Sequence, residues 1–236
     1  MTAFSAPARK PYRGAAMEGS LARWYARQTK NLIATFASEA REIAALLPRG
    51  ARVLEIAPGP GYLAVEIAKL GAFEVVGLDI SESFVRMASD YAAKSGVKVE
   101  FRQGDAASTP FPPESFDFII CRAAFKNFGN PVGAIAEMHR VLRRGGQAVI
   151  RDMRGDASDA ALDAEVRAMG LGRLATMLNR FIFRQLRRRA YKRGELLRMV
   201  AATPFGGAEV RENDLGFDIA MRKPPPSATP GDLPTP

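Results

Sequence analysis

The segment Val53-Leu54-Glu55-Ile56-Ala57-Pro58-Gly59-Pro60-Gly61-Tyr62-Leu63-Ala64 constrains the fold more than any other stretch of this chain of 236 residues. A short apolar run closes on a carboxylate, a Gly/Pro turn follows, and an apolar helical pattern begins at once. Strand, tight turn and helix N-terminus in that succession are how α/β proteins hold nucleoside-containing ligands. Gly59 and Gly61 lack Cβ, so the backbone can approach a ligand closely. The first turn of the helix presents unpaired N–H groups toward it.

The rest of the sequence extends that pattern. Helical spacing over 17–47 (Leu21, Trp24, Tyr25, Leu32, Ile33, Phe36, Ile43, Leu47) predicts two helices, stopped by Pro48-Arg49-Gly50. Strands are predicted at Arg52–Ile56, Glu74–Leu78, Val97–Gln103, Phe116–Cys121 and Gln147–Asp152. Between them lie helices at about 60–70, at 82–95 capped by Ser81, and at Pro131–Leu142, the last closed by Gly145-Gly146. Strands alternating with helices predict a parallel sheet with right-handed crossovers. Residues 156–190 then read as one long helical stretch, with Leu171, Leu174, Ala175, Leu178, Ile182 and Leu186 on one face. Short strands follow at Ala208–Glu212 and Phe217–Met221. A mobile arm over 1–16 and a Pro-rich disordered tail over 224–236 flank one domain, 17–223, which includes a helical insert at 156–200.

Composition narrows the function classes. A hydrophobic share of 47% supports a globular core, and no apolar run reaches the roughly 20 residues that span a bilayer. The single Cys121 makes no intramolecular disulfide, and with one histidine no Cys/His metal cluster can be built. No signal-peptide pattern opens the sequence, so a cytoplasmic protein with no metal is expected. The net charge of +9 leaves anionic partners open, beside the plainer reading of a basic, soluble surface. The oligomeric state is not legible.

Two ligand classes compete for the glycine turn. Gly59 to Ala64 satisfies the dinucleotide pattern G-x-G-x-x-G/A, and Asp79 ends the next strand where a ribose-binding acid belongs. That reading would make the chain an NAD-dependent oxidoreductase. Against it, Glu55 lies beside the turn, where it would repel a diphosphate and would suit a cationic amino group. Gly104-Asp105-Ala106 sets a further acid at the end of the third strand, in reach of an adenine amine. Only one mononucleotide-type half is visible, followed by two short strands.

Val53–Gly61, Val75–Ser81, Gly104-Asp105-Ala106, Phe116–Cys121 and Arg140–Gly146 come in an order and spacing that resemble the class I S-adenosylmethionine-dependent methyltransferases, over roughly residues 20–222. The branch most similar is the one acting on small molecules, which includes quinone-biosynthesis C-methyltransferases. The resemblance implies an α/β, Rossmann-like, doubly wound sheet of seven strands, mostly parallel with the last strand antiparallel. It implies S-adenosylmethionine as cofactor, with Glu55 near the methionine amino group and Gly59 and Gly61 along the methionyl-ribose segment. Asp79 would take the ribose hydroxyls and Ile80 would pack on adenine. Asp105 would take the adenine amine, Ala106 would supply a backbone N–H, and the backbone of Cys121 or Arg122 would contact the methionine end. Ala57 stands where the motif has its first glycine; it is comfortable only at negative φ, so a wider first turn is expected.

In-line methyl transfer leans on alignment, with a base for acceptors that must lose a proton. Asp152, ending the fifth strand, is the weak candidate for such a base. His139 reads as a helix-packing residue and Cys121 as a small buried hydrophobe. Tyr25, Arg122 and Phe125 are the candidates on the substrate side, with Lys126 beside Arg122 to grip an anionic or carbonyl group and Phe128 beside Phe125 as an apolar wall. The helices at 17–47 and the insert at 156–200 would close the site over a hydrophobic small molecule. Arg184-Gln185-Leu186-Arg187-Arg188-Arg189-Ala190-Tyr191-Lys192-Arg193 is the rival signal, a basic helix suited to RNA or an anionic membrane surface; an RNA methyltransferase is therefore the alternative function.

Overall fold

The computed structural model describes residues 12, 13, 17–170 and 172–225. Its centre is a sheet of seven strands: β1 (Arg52–Ile56), β2 (Glu74–Asp79), β3 (Glu100–Gln103), β4 (Phe116–Arg122), β5 (Leu142–Met153), β6 (Glu209–Glu212) and β7 (Gly216–Arg222). The spatial order is β3-β2-β1-β4-β5-β7-β6. β1 to β5 pair in parallel, and β7 runs antiparallel to both β5 and β6. The doubly wound sheet with an antiparallel last strand is thus the one implied by the motifs. Its order reverses at β1, flanked by β2 and β4, which opens a crevice beyond the carboxyl ends of those strands.

Both faces of the sheet are covered. Val53, Phe118, Ile120 and Val149 pack against α2 (Ile33–Ala44) and α3 (Tyr62–Lys69) through Phe36, Ala40, Ile43, Leu63 and Ile67. Leu54, Ile56, Ile119, Cys121, Ala148 and Ile150 face α5 (Pro131–Val141) and α8 (Arg193–Ala201) through Ile135, Met138, Leu196 and Val200. Successive strand residues point to opposite faces, so a strand buried on both sides reads as an unbroken apolar run. The predicted Ser81 cap forms, and Asn130 supplies a second cap that the sequence reading did not name. Ser81 Oγ accepts the Phe84 N–H at 3.1 Å to start α4 (Glu82–Lys94), and Asn130 Oδ1 accepts that of Gly133 at 3.1 Å to start α5.

Four local expectations are corrected. Gly145-Gly146 does not close α5; the helix ends at Val141 and β5 begins at the next residue. Gly146 instead lets β5 pass close to β4, because a Cβ there would lie 2.8 Å from the Asp117 carbonyl oxygen. The β4–β5 register shifts at that place, between Phe116 and Phe118. The long helix over 156–190 is two, α6 (Asp159–Ala168) and α7 (Arg173–Arg189), broken by Gly170 at φ +62°. β3 is shorter than Val97–Gln103. In the arm expected over 1–16, Tyr12 bridges to Phe128, the Arg13 N–H reaches Asn127 O at 2.7 Å, and the Arg13 guanidinium reaches Tyr191 Oη at 2.8 Å. These two residues are docked, not loose. The rest of the arm, Leu171 and most of the expected tail lie outside the described residues. Among the described residues no helix is long and apolar enough to cross a membrane.

Candidate active site

The glycine turn joins β1 to α3 at the centre of the crevice. Gly61 precedes α3 at φ +80°, and a Cβ there would meet Ala88 Cβ at 2.7 Å and Phe101 Cζ at 2.9 Å. Its missing side chain therefore serves close packing against α4 and β3. Gly59, at φ +56°, is the more open glycine; only the Tyr25 ring, at 3.8 Å, approaches the place of its Cβ. Ala57 overturns its expectation, adopting φ +57° while its N–H donates to Leu78 O at 2.7 Å. The turn keeps the tight glycine-like path, and the alanine bears left-handed strain there. Ala123, at the end of β4, carries the same strain at φ +56°.

Two carboxylates meet at this turn. Glu55 lies on the α2–α3 face of β1, buried, and its Oε2 has no hydrogen-bond partner among the described residues. Burial, and then the nearby Glu39, push its pKa up to about 8, against the pull of Arg122. Asp79 is buried too, and burial raises it to about 6 although the backbone N–H groups of Ser81 and Gly59 favour the charged form. Those two N–H groups donate to Oδ1 and Oδ2, each at 2.9 Å, so Asp79 ties the end of β2 to the glycine turn. Each carboxylate oxygen keeps a second lone pair. Beside it Ile80 is half-buried, its carbonyl held by Gln103 Nε2 at 3.2 Å. Asp105 accepts the Ala107 N–H through Oδ1 at 2.9 Å, which shapes the turn at 105–108. Ala106 lies half-buried on the core, and Cys121 is fully buried, its thiol pushed well up by burial.

Several residues expected on the substrate side are otherwise engaged. Arg122 Nε pairs with Glu39 Oε2 at 2.8 Å and its guanidinium lies 4.7 Å from the centre of the Phe36 ring, so it is bound to α2. Lys126 is buried against Asp152, Nζ to Oδ1 at 2.8 Å, and Asp152 also accepts the N–H groups of Lys126 and Met153. Neither a free cation nor a free base is left at that place. Phe125 is fully buried between Phe128 and Tyr191, as a core residue. Tyr25 packs edge-on to Phe84 beside Gly59. His139 packs on Phe205, and burial lowers its pKa. Sequence reasoning passed over Glu39, whose place on the apolar Phe36–Ala40–Ile43 stripe of α2 was its signal. It also missed the Lys126–Asp152 pair, whose residues lie 26 positions apart.

Helix α1 (Gly19–Thr29) lies across the turn. The Gly19 N–H reaches Ser83 Oγ at 3.0 Å, Glu18 Oε2 accepts the Ser83 N–H at 3.0 Å, and Ser81 Oγ donates to Met17 O at 2.7 Å. Tyr62 Oη holds the far end through Ala26 O at 2.8 Å. Ala22 is the one residue α1 buries. Beyond β5 and β7 opens a polar hollow of about 330 Å³ lined by Glu42, Arg151, Asp152, Arg211 and Asp218.

Residues 54–150 match the family described as Methyltransferase domain. A Bacillus subtilis protein named uncharacterized methyltransferase YcgJ is 39% identical over 102 residues, 43% of this chain and 40% of its own length. The demethylmenaquinone methyltransferase of Deinococcus radiodurans is 36% identical over 120 residues, 50% of this chain and 49% of that protein. The 27-O-demethylrifamycin SV methyltransferase of Amycolatopsis mediterranei is 34% identical, over 57% of this chain and 52% of its own. The chain thus spans about half the length, or less, of these relatives. In fold, a solved Methanococcus maripaludis protein matches 92% of this chain and 98% of its own at a TM-score of 0.70 and 20% identity. Sheet order and glycine turn, with the match of residues 54–150 to a methyltransferase domain, support similarity to the class I S-adenosylmethionine-dependent methyltransferases.

Proposed function

We propose that the chain transfers a methyl group to a small apolar or aromatic molecule, with the cofactor seated at the Gly59–Gly61 turn. S-adenosylmethionine supplies an electrophilic methyl group on a sulfonium, whose departure needs no proton. One observation carries the reading: Glu55 Oε2 is buried at the turn without a partner among the described residues, as a carboxylate awaiting a cation would be. An amino group there would relieve the desolvation that raises its pKa. Ala57, Gly59 and Gly61 would supply the backbone beside it, Asp79 and Ile80 the ribose and adenine side, Asp105 the acceptor for the adenine amine, Ala106 a backbone N–H donor to the ring, and Cys121 the backbone at the methionine end. A diphosphate offers Glu55 no such relief, since its negative charge would hold the carboxyl still further from ionising.

No residue is assigned as base. Asp152, held by Lys126, positions the loop after β4, and the Glu39–Arg122–Arg151 ion pairs fix the strand ends around it. Alignment then does much of the catalysis. The acceptor would enter over the carboxyl ends of β4 and β5, beside Tyr25 and the hollow that Arg151 and Asp152 line. Arg122 and Phe125 shape that region from behind, through α2 and Tyr191. The printed names of the quinone and rifamycin relatives favour a small organic acceptor. Because α1 buries so little, it would serve as a gate for cofactor entry.

The test is calorimetry with S-adenosylhomocysteine and NADH, followed by incubation of the protein with labelled methyl donor and fractionated apolar metabolites. Binding of the first nucleoside alone, with label entering an organic-soluble product, is expected. Binding of NADH with indifference to S-adenosylhomocysteine would overturn the reading, and so would label entering RNA with a steep salt dependence.

A further inference from the structure

Among the described residues, helix α7 carries the most exposed apolar side chains of any long element. Leu174, Met177, Leu178 and Phe181 are 85%, 68%, 55% and 60% exposed. They stand at i, i+3, i+4 and i+7 and so form a single stripe. The opposite side of α7 is the one tied to the protein. Arg180 pairs with Asp163, Arg187 Nη1 donates to Ala157 O at 2.8 Å and pairs with Asp159 at 2.9 Å, and Phe183 is half-buried. The stripe therefore faces away from α6 and is left without a covering element among the described residues.

Charge says what the stripe meets. The sequence of α7, RLATMLNRFIFRQLRRR, holds six arginines and no acid. Arg173, Arg188 and Arg189 are exposed without an ion pair among the described residues, and Arg184 has only a loose contact with Asp159 at 3.8 Å. Arg184 and Arg188 continue the same face beyond Phe181, at i+10 and i+14 from Leu174. A second copy of the helix would bring arginines against arginines. RNA would take the guanidinium groups and leave the leucines and the phenylalanine in water. A bilayer rich in anionic headgroups satisfies both halves, with apolar side chains below the headgroups and arginines among the phosphates.

We propose that α7 is an in-plane anchor that docks this protein on an anionic membrane surface. The inference is independent of the methyl-transfer reading, since it uses no residue of the crevice.

Co-sedimentation of the full chain with vesicles of phosphatidylcholine, alone or mixed with phosphatidylglycerol, tests it. The wild type should bind the mixed vesicles and leave the neutral ones. Leu178→Glu with Phe181→Glu should weaken partitioning by about 30-fold or more, since each places a charge at the level of the acyl chains. Arg184→Gln with Arg188→Gln should weaken it by about 25-fold, at roughly fivefold per arginine near the surface. Thermal unfolding and S-adenosylhomocysteine binding should be unchanged in both pairs, because the substituted side chains are exposed and none belongs to the glycine turn. Wild-type protein that ignores anionic vesicles would overturn the proposal. So would a dimer in sedimentation velocity that Phe181→Glu dissociates, or RNA binding that the arginine pair weakens while vesicle binding stays at the wild-type level.

Discussion

Replacing Glu55 by Gln separates what this site costs the fold from what it gives the ligand. In the folded protein burial raises Glu55 from an ordinary 4.5 to about 8. A carboxyl whose folded pKa is raised favours folding at low pH, where it is protonated in both states, and that advantage is lost as pH climbs from the unfolded toward the folded value. At pH 7 the gap already open is about 2.5 units, or roughly 3.4 kcal/mol; above pH 8 it reaches about 4.8 kcal/mol. The glutamine has the same shape and no charge to desolvate. Glu55→Gln should therefore match the wild type below about pH 4.5 and exceed it by about 3.4 kcal/mol at pH 7. For a chain of this size that is roughly 7–14 °C in Tm.

Ligand binding should move the opposite way. An amino group paired with Glu55 makes a charged hydrogen bond, worth about 1.5–3 kcal/mol, so S-adenosylhomocysteine should bind Glu55→Gln about 10- to 150-fold more weakly. Wild-type binding near pH 7 should also release a proton, seen as a buffer-dependent enthalpy that the variant lacks. Urea unfolding across pH 4.5 to 9 and calorimetry in two buffers give both halves. A variant equally shifted in stability at every pH, or one that keeps wild-type affinity, would refute the assignment of Glu55 to a cationic partner.

Three further outcomes follow from the geometry. Ala57→Gly removes a Cβ held at φ +57°, and with the entropy of glycine set against about 1–2 kcal/mol of left-handed strain it should stabilise by about 0.5–1 kcal/mol in urea unfolding. Lys126→Met strands the buried Asp152 carboxylate and should destabilise by about 3–5 kcal/mol in urea unfolding at pH 7. Glu18→Ala removes the acceptor of the Ser83 N–H and should loosen α1; stopped-flow measurement should show faster S-adenosylhomocysteine dissociation by about fivefold, with global stability within about 0.5 kcal/mol of wild type.

The strands were legible because a strand buried on both faces has little choice of residue. Val53, Leu54 and Ile56, like Phe116 and Phe118 to Cys121, are apolar where they touch the helix layers, and Glu55 and Asp79 mark the carboxyl ends of β1 and β2. The turns were less so, because a glycine states only what the backbone is free to do. Gly145-Gly146 suits a helix terminus and a close strand crossing alike, and contacts with Asp117, distant in sequence, decide between them. Ala57 shows the converse: local preference argued for negative φ, yet the hydrogen bond to Leu78 and the Asp79 clasp on Gly59 hold the turn tight. The charged residues were hardest. Arg122, Lys126 and Asp152 stand at strand ends, where a sequence suggests contact with a substrate, but a buried charge must find an opposite charge first. Their partners are Glu39 on α2 and one another, and none of these pairings has a periodicity that would announce it. Glu55 is the exception that gives the site its direction: buried like the others, it alone of the strand-end charges keeps an oxygen without a partner among the described residues. On the function proposed above, a fold that neutralises Lys126, Arg122 and Asp152 internally and leaves Glu55 open would hold that carboxylate for a cation from outside the chain.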